Sequence, residues 1–205
     1  MNARRRGDRQ RGRKGARGTR PLKEVPLVVC QGVVTEPEYI GRLAQAVRKR
    51  NPCFGSKPED PVKLVEHAAE VAKRRESAQV CIVIDVDDSP REQIEQAISR
   101  CRRKSSKKRT LVLVVSNESF DSWLYAHVID GRVPSGQPRS YFQKKLAGGG
   151  YLHGSPAKHL GEGFPVDRWE DAEQRITTAG LNEMGANPST AMPVLTRELL
   201  VLWKK

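Results

Sequence analysis

No apolar run in this 205-residue chain approaches the roughly 20 residues that a membrane-spanning helix needs, so no membrane span is expected. The four cysteines, Cys30, Cys53, Cys81 and Cys101, form no C-x-x-C pair and stand 20 or more residues apart, which excludes a zinc knuckle. Cys30 and Cys81 fall inside apolar runs and read as reduced core residues of a cytoplasmic protein. The Arg-rich amino-terminal stretch lacks an apolar h-region, so a secretory signal is not expected. There is no P-loop, no G-x-G-x-x-G and no Ser/His/Asp motif, which removes the common nucleotide-binding and serine-hydrolase signatures.

What is abundant is positive charge, and it is unevenly placed. Of the net +13, residues 1–23 supply ten Lys/Arg against Asp8 alone, a net of +9; Arg4, Arg5, Arg6, Arg9, Arg11, Arg13 and Lys14 form its densest part. A second cluster between Arg100 and Arg109 holds seven cations, including Arg102, Arg103, Lys104, Lys107 and Lys108, and no acid. Concentrated cations suit phosphate backbones, because each contact releases counterions and gives salt-dependent affinity. Both clusters are candidate nucleic-acid contacts. The alternatives are a solubilising or lipid-attracted arm for the first and helix-dipole complement for the second. With nothing to bury, residues 1–22 are expected to be a disordered tail.

The remainder reads as an α/β core over 23–130 and a loop-rich, helical extension over 131–205. Apolar runs at Val25–Cys30, Gln79–Asp85 and Thr110–Val115 predict buried parallel strands, with an edge strand near Cys53. Helices are predicted between them: from a Thr35–Glu38 capping box, from Asp60-Pro61 to about Ser77, and from a Ser89–Glu92 capping box. Another should run from about Glu118 to Ile129, capped by Ser116 or Asn117. Past Gly131 the chain is expected to be irregular except for a helix near Ser140–Leu146, then two helices near Trp169–Ala179 and Ser189–Trp203. Alternating strands and helices imply a parallel sheet with right-handed crossovers.

The strand Ile82-Val83-Ile84-Asp85-Val86-Asp87-Asp88 ends in three carboxylates. Period-two geometry puts Asp85 and Asp87 on one face at its carboxyl end, where active sites of open α/β sheets lie. Such crowded acids repel one another unless a cation neutralises them, and Mg²⁺ or Mn²⁺ is the natural partner for oxygen ligands. The competing reading has Asp87 and Asp88 solvating a loop. Strand one ends in Gln31-Gly32 at the same edge, and Gln31 would face the acids. Glu36, Asp121 and His127 are auxiliary candidates, although a lone His late in a helix is more often structural.

These residues resemble a family. Cys30-Gln31-Gly32 with Thr35-Glu36-Pro37-Glu38-Tyr39, then Asp85-Val86-Asp87-Asp88, then Ser116-Asn117 to Trp123 and Asn187-Pro188-Ser189-Thr190 look, in this order, like RloB-like proteins. RloB in turn resembles AbiLii; both are associated with phage defence and are encoded beside an ABC-type ATPase. The resemblance implies a Toprim-like fold in which a glutamate after the first strand and an Asp-x-Asp after a later one bind Mg²⁺ for phosphodiester chemistry. It also implies nucleic acid, RNA and especially tRNA before DNA, and an ABC-type ATPase as partners; a homodimer is one arrangement it allows. Gln31 stands where the family has the glutamate, so the chain reads either as a nuclease effector inactivated at that position or as a catalytically dead nucleic-acid-binding or ATPase-docking subunit. Asp121 stands where the family has a longer acid.

Overall fold

A computed structural model describes residues 26–55, 60–87 and 89–204. The expected tail at 1–22 and Asp88 lie outside the described residues. The apolar runs form the anticipated strands: β1 (Leu27–Cys30), β2 (Cys53–Gly55), β3 (Gln79–Asp85) and β4 (Thr110–Asn117). They are joined by α1 (Thr35–Ala46), α2 (Pro61–Arg75) and α3 (Arg91–Lys104), and β1 pairs in parallel with β2 and β3, as β3 does with β4. Beyond β4 come α4 (Phe120–Val128), α5 (Arg139–Gly148), the hairpin β5 (Leu152–His153) with β6 (His159–Leu160), and α6 (Trp169–Arg175). The short strands β7 (Thr177–Thr178) and β8 (Ser189–Thr190) precede α7 (Met192–Lys204).

The main sheet has the order β2-β1-β3-β4-β8-β7, with β8 antiparallel to β4. It separates two apolar layers. Val29, Ile82 and Ile84 pack under α2 and α3, while Val28, Cys81 and Val83 face α1, α4 and α7. Each such Val or Ile side chain taken from water contributes about 1.5–3 kcal/mol, which explains why β3 is apolar from Val80 to Ile84. Asp85 shares the pleat parity of Cys81 and Val83 and so belongs to the α1 and α4 side.

Several local expectations are corrected. Thr35 is the first residue of α1 and caps nothing; its hydroxyl donates to the Lys158 carbonyl at 2.7 Å. Glu38 accepts from the Leu160 N–H at 2.8 Å and meets His159 Nδ1 at 2.6 Å, so both residues of the supposed capping box hold the β5–β6 hairpin instead. Ser89 does not cap α3: its N–H closes a turn onto the Val86 carbonyl, and Pro90 takes the cap position with no side-chain bond. Ser116 and Asn117 do not cap α4, because the Ser116 hydroxyl pairs with Thr190 and the Asn117 amide donates to the Gly185 carbonyl. Ser189-Thr190 is a strand rather than a helix start, and the stretch after Gly131 contains the hairpin. Asp60 behaves as predicted, accepting from the N–H groups of Val62 and Lys63 at the start of α2.

An acidic edge closed by Arg139

Main-chain pairing carries the acids past the end of the sheet. The Gln31 N–H donates to the Val83 carbonyl at 2.9 Å, that of Val86 to Ser116 at 3.0 Å and that of Asp87 to Glu118 at 2.9 Å. Asp87 then turns with a positive φ of 38°, a conformation that Asp tolerates better than most residues. Gln31 does face the acids: its Oε1 accepts the backbone N–H of Asp85 at 3.2 Å.

Asp85 Oδ1 accepts the Phe120 N–H at 2.9 Å, which makes it the cap that α4 lacks locally and places a carboxylate at the positive end of that helix. Glu36, in the first turn of α1, lies over Gly32, where a Cβ would meet its carboxylate and displace it. Asp121, in the first turn of α4, completes the group. Glu36, Asp85 and Asp121 are each less than a tenth exposed. Burial pushes the Asp85 carboxyl well above the usual range, and the charges of Glu36, Asp87 and Asp121 push it further. Burial likewise raises Glu36, against the pull of its own backbone N–H, and raises Asp121 against the pull of Arg139.

The sequence reading missed the group that answers these charges. Arg139, at the start of α5, donates to Asp87 Oδ2 and, through Nε, to Asp121 Oδ2 at 3.1 Å. Burial works against its charge, yet Asp121, Asp87 and Asp85 hold its pKa above the ordinary value. The only advance signal was the excess of acids, which calls for a cation without saying where in the chain it lies.

A donor set made of carboxylate oxygens has the right chemistry for Mg²⁺ or Mn²⁺. Its present arrangement does not fit one: Arg139 spans Asp87 and Asp121, and among the described residues no three His, Cys, Asp or Glu side chains are placed to share an ion. What the arrangement offers by itself is two protonatable buried carboxyls, Asp85 and Glu36, beside a guanidinium able to pair with phosphate oxygens.

His127 takes no part at this edge. It is fully buried, with Nδ1 against the Trp123 carbonyl at 2.9 Å and Nε2 against the Tyr39 hydroxyl at 3.1 Å, and burial lowers its pKa to about 4. Of the second basic cluster, Arg102, Arg103, Lys107 and Lys108 are exposed, whereas Lys104 pairs with Glu66 at 2.6 Å. The cations from Arg4 to Lys14 lie outside the described residues, within which no helix is long and apolar enough to cross a membrane.

Comparison with known proteins adds one finding. No curated protein and no solved structure matches this chain. The family profile described as RloB-like protein matches residues 26–199, a span that takes in the whole main sheet, the acidic edge and Arg139. The chain belongs to the RloB-like family.

Proposed function

We propose that this protein is a Toprim-type nuclease effector of a bacterial anti-phage system, cleaving RNA, with tRNA the favoured class, and working with an ABC-type ATPase. The observation that carries the reading is the gathering of Asp85, Asp87, Glu36 and Asp121 at the carboxyl edge of a parallel sheet. Three of these carboxylates are buried and hold one another's charge at a disadvantage. An arrangement with that energetic penalty is unnecessary for a stable core, which the two apolar layers already supply. Dependence on Mg²⁺ or Mn²⁺ belongs to the proposal, under a condition set by the geometry: Arg139 must leave Asp87 and Asp121 before these carboxylates can converge on an ion. Asp85 and Asp87 would be its ligands, with Asp121 beside them, and Gln31 would occupy the position of the catalytic glutamate.

A second reading, a non-cleaving subunit that binds nucleic acid or docks on the ATPase, is favoured by the two features that quiet the edge: a neutral Gln31 and the Arg139 bridge. The experiment is cleavage of end-labelled tRNA, other RNAs and DNA by the parent chain and Asp85→Asn, with Mg²⁺, Mn²⁺ or EDTA and with the ATPase supplied. Metal-dependent RNA cleavage lost in Asp85→Asn supports the nuclease. Cleavage confined to DNA replaces the substrate class, and an inert but nucleic-acid-binding parent favours the second reading.

A further inference from the structure

The edge opposite the acids is basic. Helices α1, α2 and α3 each run back from the carboxyl ends of the strands to their amino ends, and cations follow or close all three. Arg48 to Arg50 lie just past α1, Lys73 to Arg75 close α2, Arg102 and Arg103 close α3, and Lys107 and Lys108 stand in the turn before β4. All are exposed. The three groups are neighbours in space: Lys49, Arg50, Arg75 and Ser77 line one cavity of about 670 Å³, and Arg109 Nε donates to the Ser77 carbonyl at 2.8 Å, joining the turn before β4 to the turn before β3. The described chain enters at this same edge, where Pro26 also lines the cavity, directly after the segment that holds ten of the Lys/Arg.

Helix dipoles account for Lys73 to Arg75 and for Arg102 and Arg103, which stand in the last turns of α2 and α3, but not for the rest of the pattern. They act within the last turn of a helix. The last turn of α1 has no basic residue; its cations come after the helix has ended, and Lys107 and Lys108 lie beyond α3. Nor does ion pairing account for most of it. Among the described residues, Arg48, Lys49, Arg50, Lys73, Arg74, Arg102, Arg103, Lys107 and Lys108 have no carboxylate partner, in contrast to Arg100 and Lys104, which share Glu66.

We infer that this edge is a docking platform for the phosphate backbone of RNA, physically separate from the acidic edge. The inference rests on the RNA reading given above and adds where the RNA is held. Cations gathered from three helix ends at one edge of the sheet match a linear polyanion better than the patchy charge of an acidic protein surface. The length of β3 sets the two edges about 20 Å apart, so an RNA that occupies both must be extended or folded over at least that span.

The test is fluorescence anisotropy of labelled bulk tRNA with the full chain in EDTA, where binding is read without cleavage, across 50–300 mM KCl. Two variants replace separate groups: Lys49→Gln, Arg50→Gln, Arg74→Gln and Arg75→Gln together, and Arg102→Gln, Arg103→Gln, Lys107→Gln and Lys108→Gln together. Each should raise Kd at least tenfold at 150 mM salt and reduce the slope of log affinity against log salt by about 3, as expected for the loss of four phosphate contacts. Lys63→Gln with Arg91→Gln, exposed at the opposite ends of α2 and α3, should bind like the parent. Melting curves of both variants should match the parent's. Parent-like binding and slope in both variants overturn the platform and leave the RNA reading standing. A parent chain that binds no tRNA even at 50 mM overturns both.

Discussion

The backbone N–H that begins the acidic turn, on Asp85, donates to the side-chain oxygen of Gln31 at 3.2 Å. A glutamate in place of Gln31 could accept the same hydrogen bond, so the exchange preserves the contact and alters the charge. The present chain therefore has the shape of a complete acidic edge with one charge fewer than the family resemblance implies. The consequences of that charge, and of the guanidinium that faces it, can be measured separately.

Arg139→Gln removes the cation that bridges Asp87 and Asp121. In EDTA at pH 7 the variant should lose about 1–2 kcal/mol, a figure discounted from the buried-pair range because the Arg139 side chain is 38% exposed. Millimolar Mg²⁺ should restore part of that loss in the variant and change the parent less. Calorimetric melts in both conditions check it; equal melting temperatures for variant and parent throughout would show that the acids need no neutralisation.

Gly32→Ala forces a methyl group against the Glu36 carboxylate. A loss of about 1–3 kcal/mol is expected, with Glu36 displaced from the edge. The double variant with Glu36→Ala should be markedly more stable than the sum of the single effects predicts, because the collision partner is gone. Denaturant unfolding of the four proteins gives the coupling, and strict additivity would place the Glu36 carboxylate elsewhere.

His127 gives a pH dependence of known sign. Its folded pKa of about 4 lies below the ordinary 6.5, so the unfolded chain binds more protons between those values. The His127 contribution to stability is present above about pH 6.5 and is lost as the pH falls towards 4, on the order of 3 kcal/mol in total. The difference in stability between the parent and His127→Asn, followed from pH 7 to pH 4, should shrink by that amount. An NMR titration placing the imidazole near 6.5 would contradict it.

Glu38→Ala cuts two of the contacts that fasten the β5–β6 hairpin to α1, leaving Thr35 on Lys158 and Arg42 on Leu160 and Gly161. Amide exchange at His159 and Leu160 should accelerate tenfold or more while β3 stays protected, since β3 is held by pairing on both sides. Uniform acceleration would mean that the hairpin is not an independent unit.

The sheet was legible because β1, β3 and β4 are buried on both faces and so are written as unbroken apolar runs. Asp85 could be placed at its carboxyl edge from strand parity, whereas Asp87 lies beyond the strand in a turn with positive φ, where parity does not apply. The capping failures at Thr35, Glu38 and Ser116 share one physical cause: side chains with the right local pattern were taken by distant partners. Thr35 and Glu38 match a capping box but bind residues 158–160, and Ser116 is bound to Thr190. Strand β8 is two polar residues held by pairing with the end of β4, too short to show any period. Arg139 lies in a stretch that reads as irregular, and a tertiary ion pair leaves no periodic trace.

The central claim, that the acidic edge is a phosphodiester-cleaving site attenuated at one position, is tested most directly by Gln31→Glu. Single-turnover cleavage of tRNA in Mg²⁺ should rise on the order of 10²-fold over the parent, the scale expected for a restored general base, and should vanish in EDTA and in the double variant with Asp87→Asn. A Gln31→Glu protein that folds like the parent yet cleaves no RNA or DNA, with the ATPase present, would contradict the account.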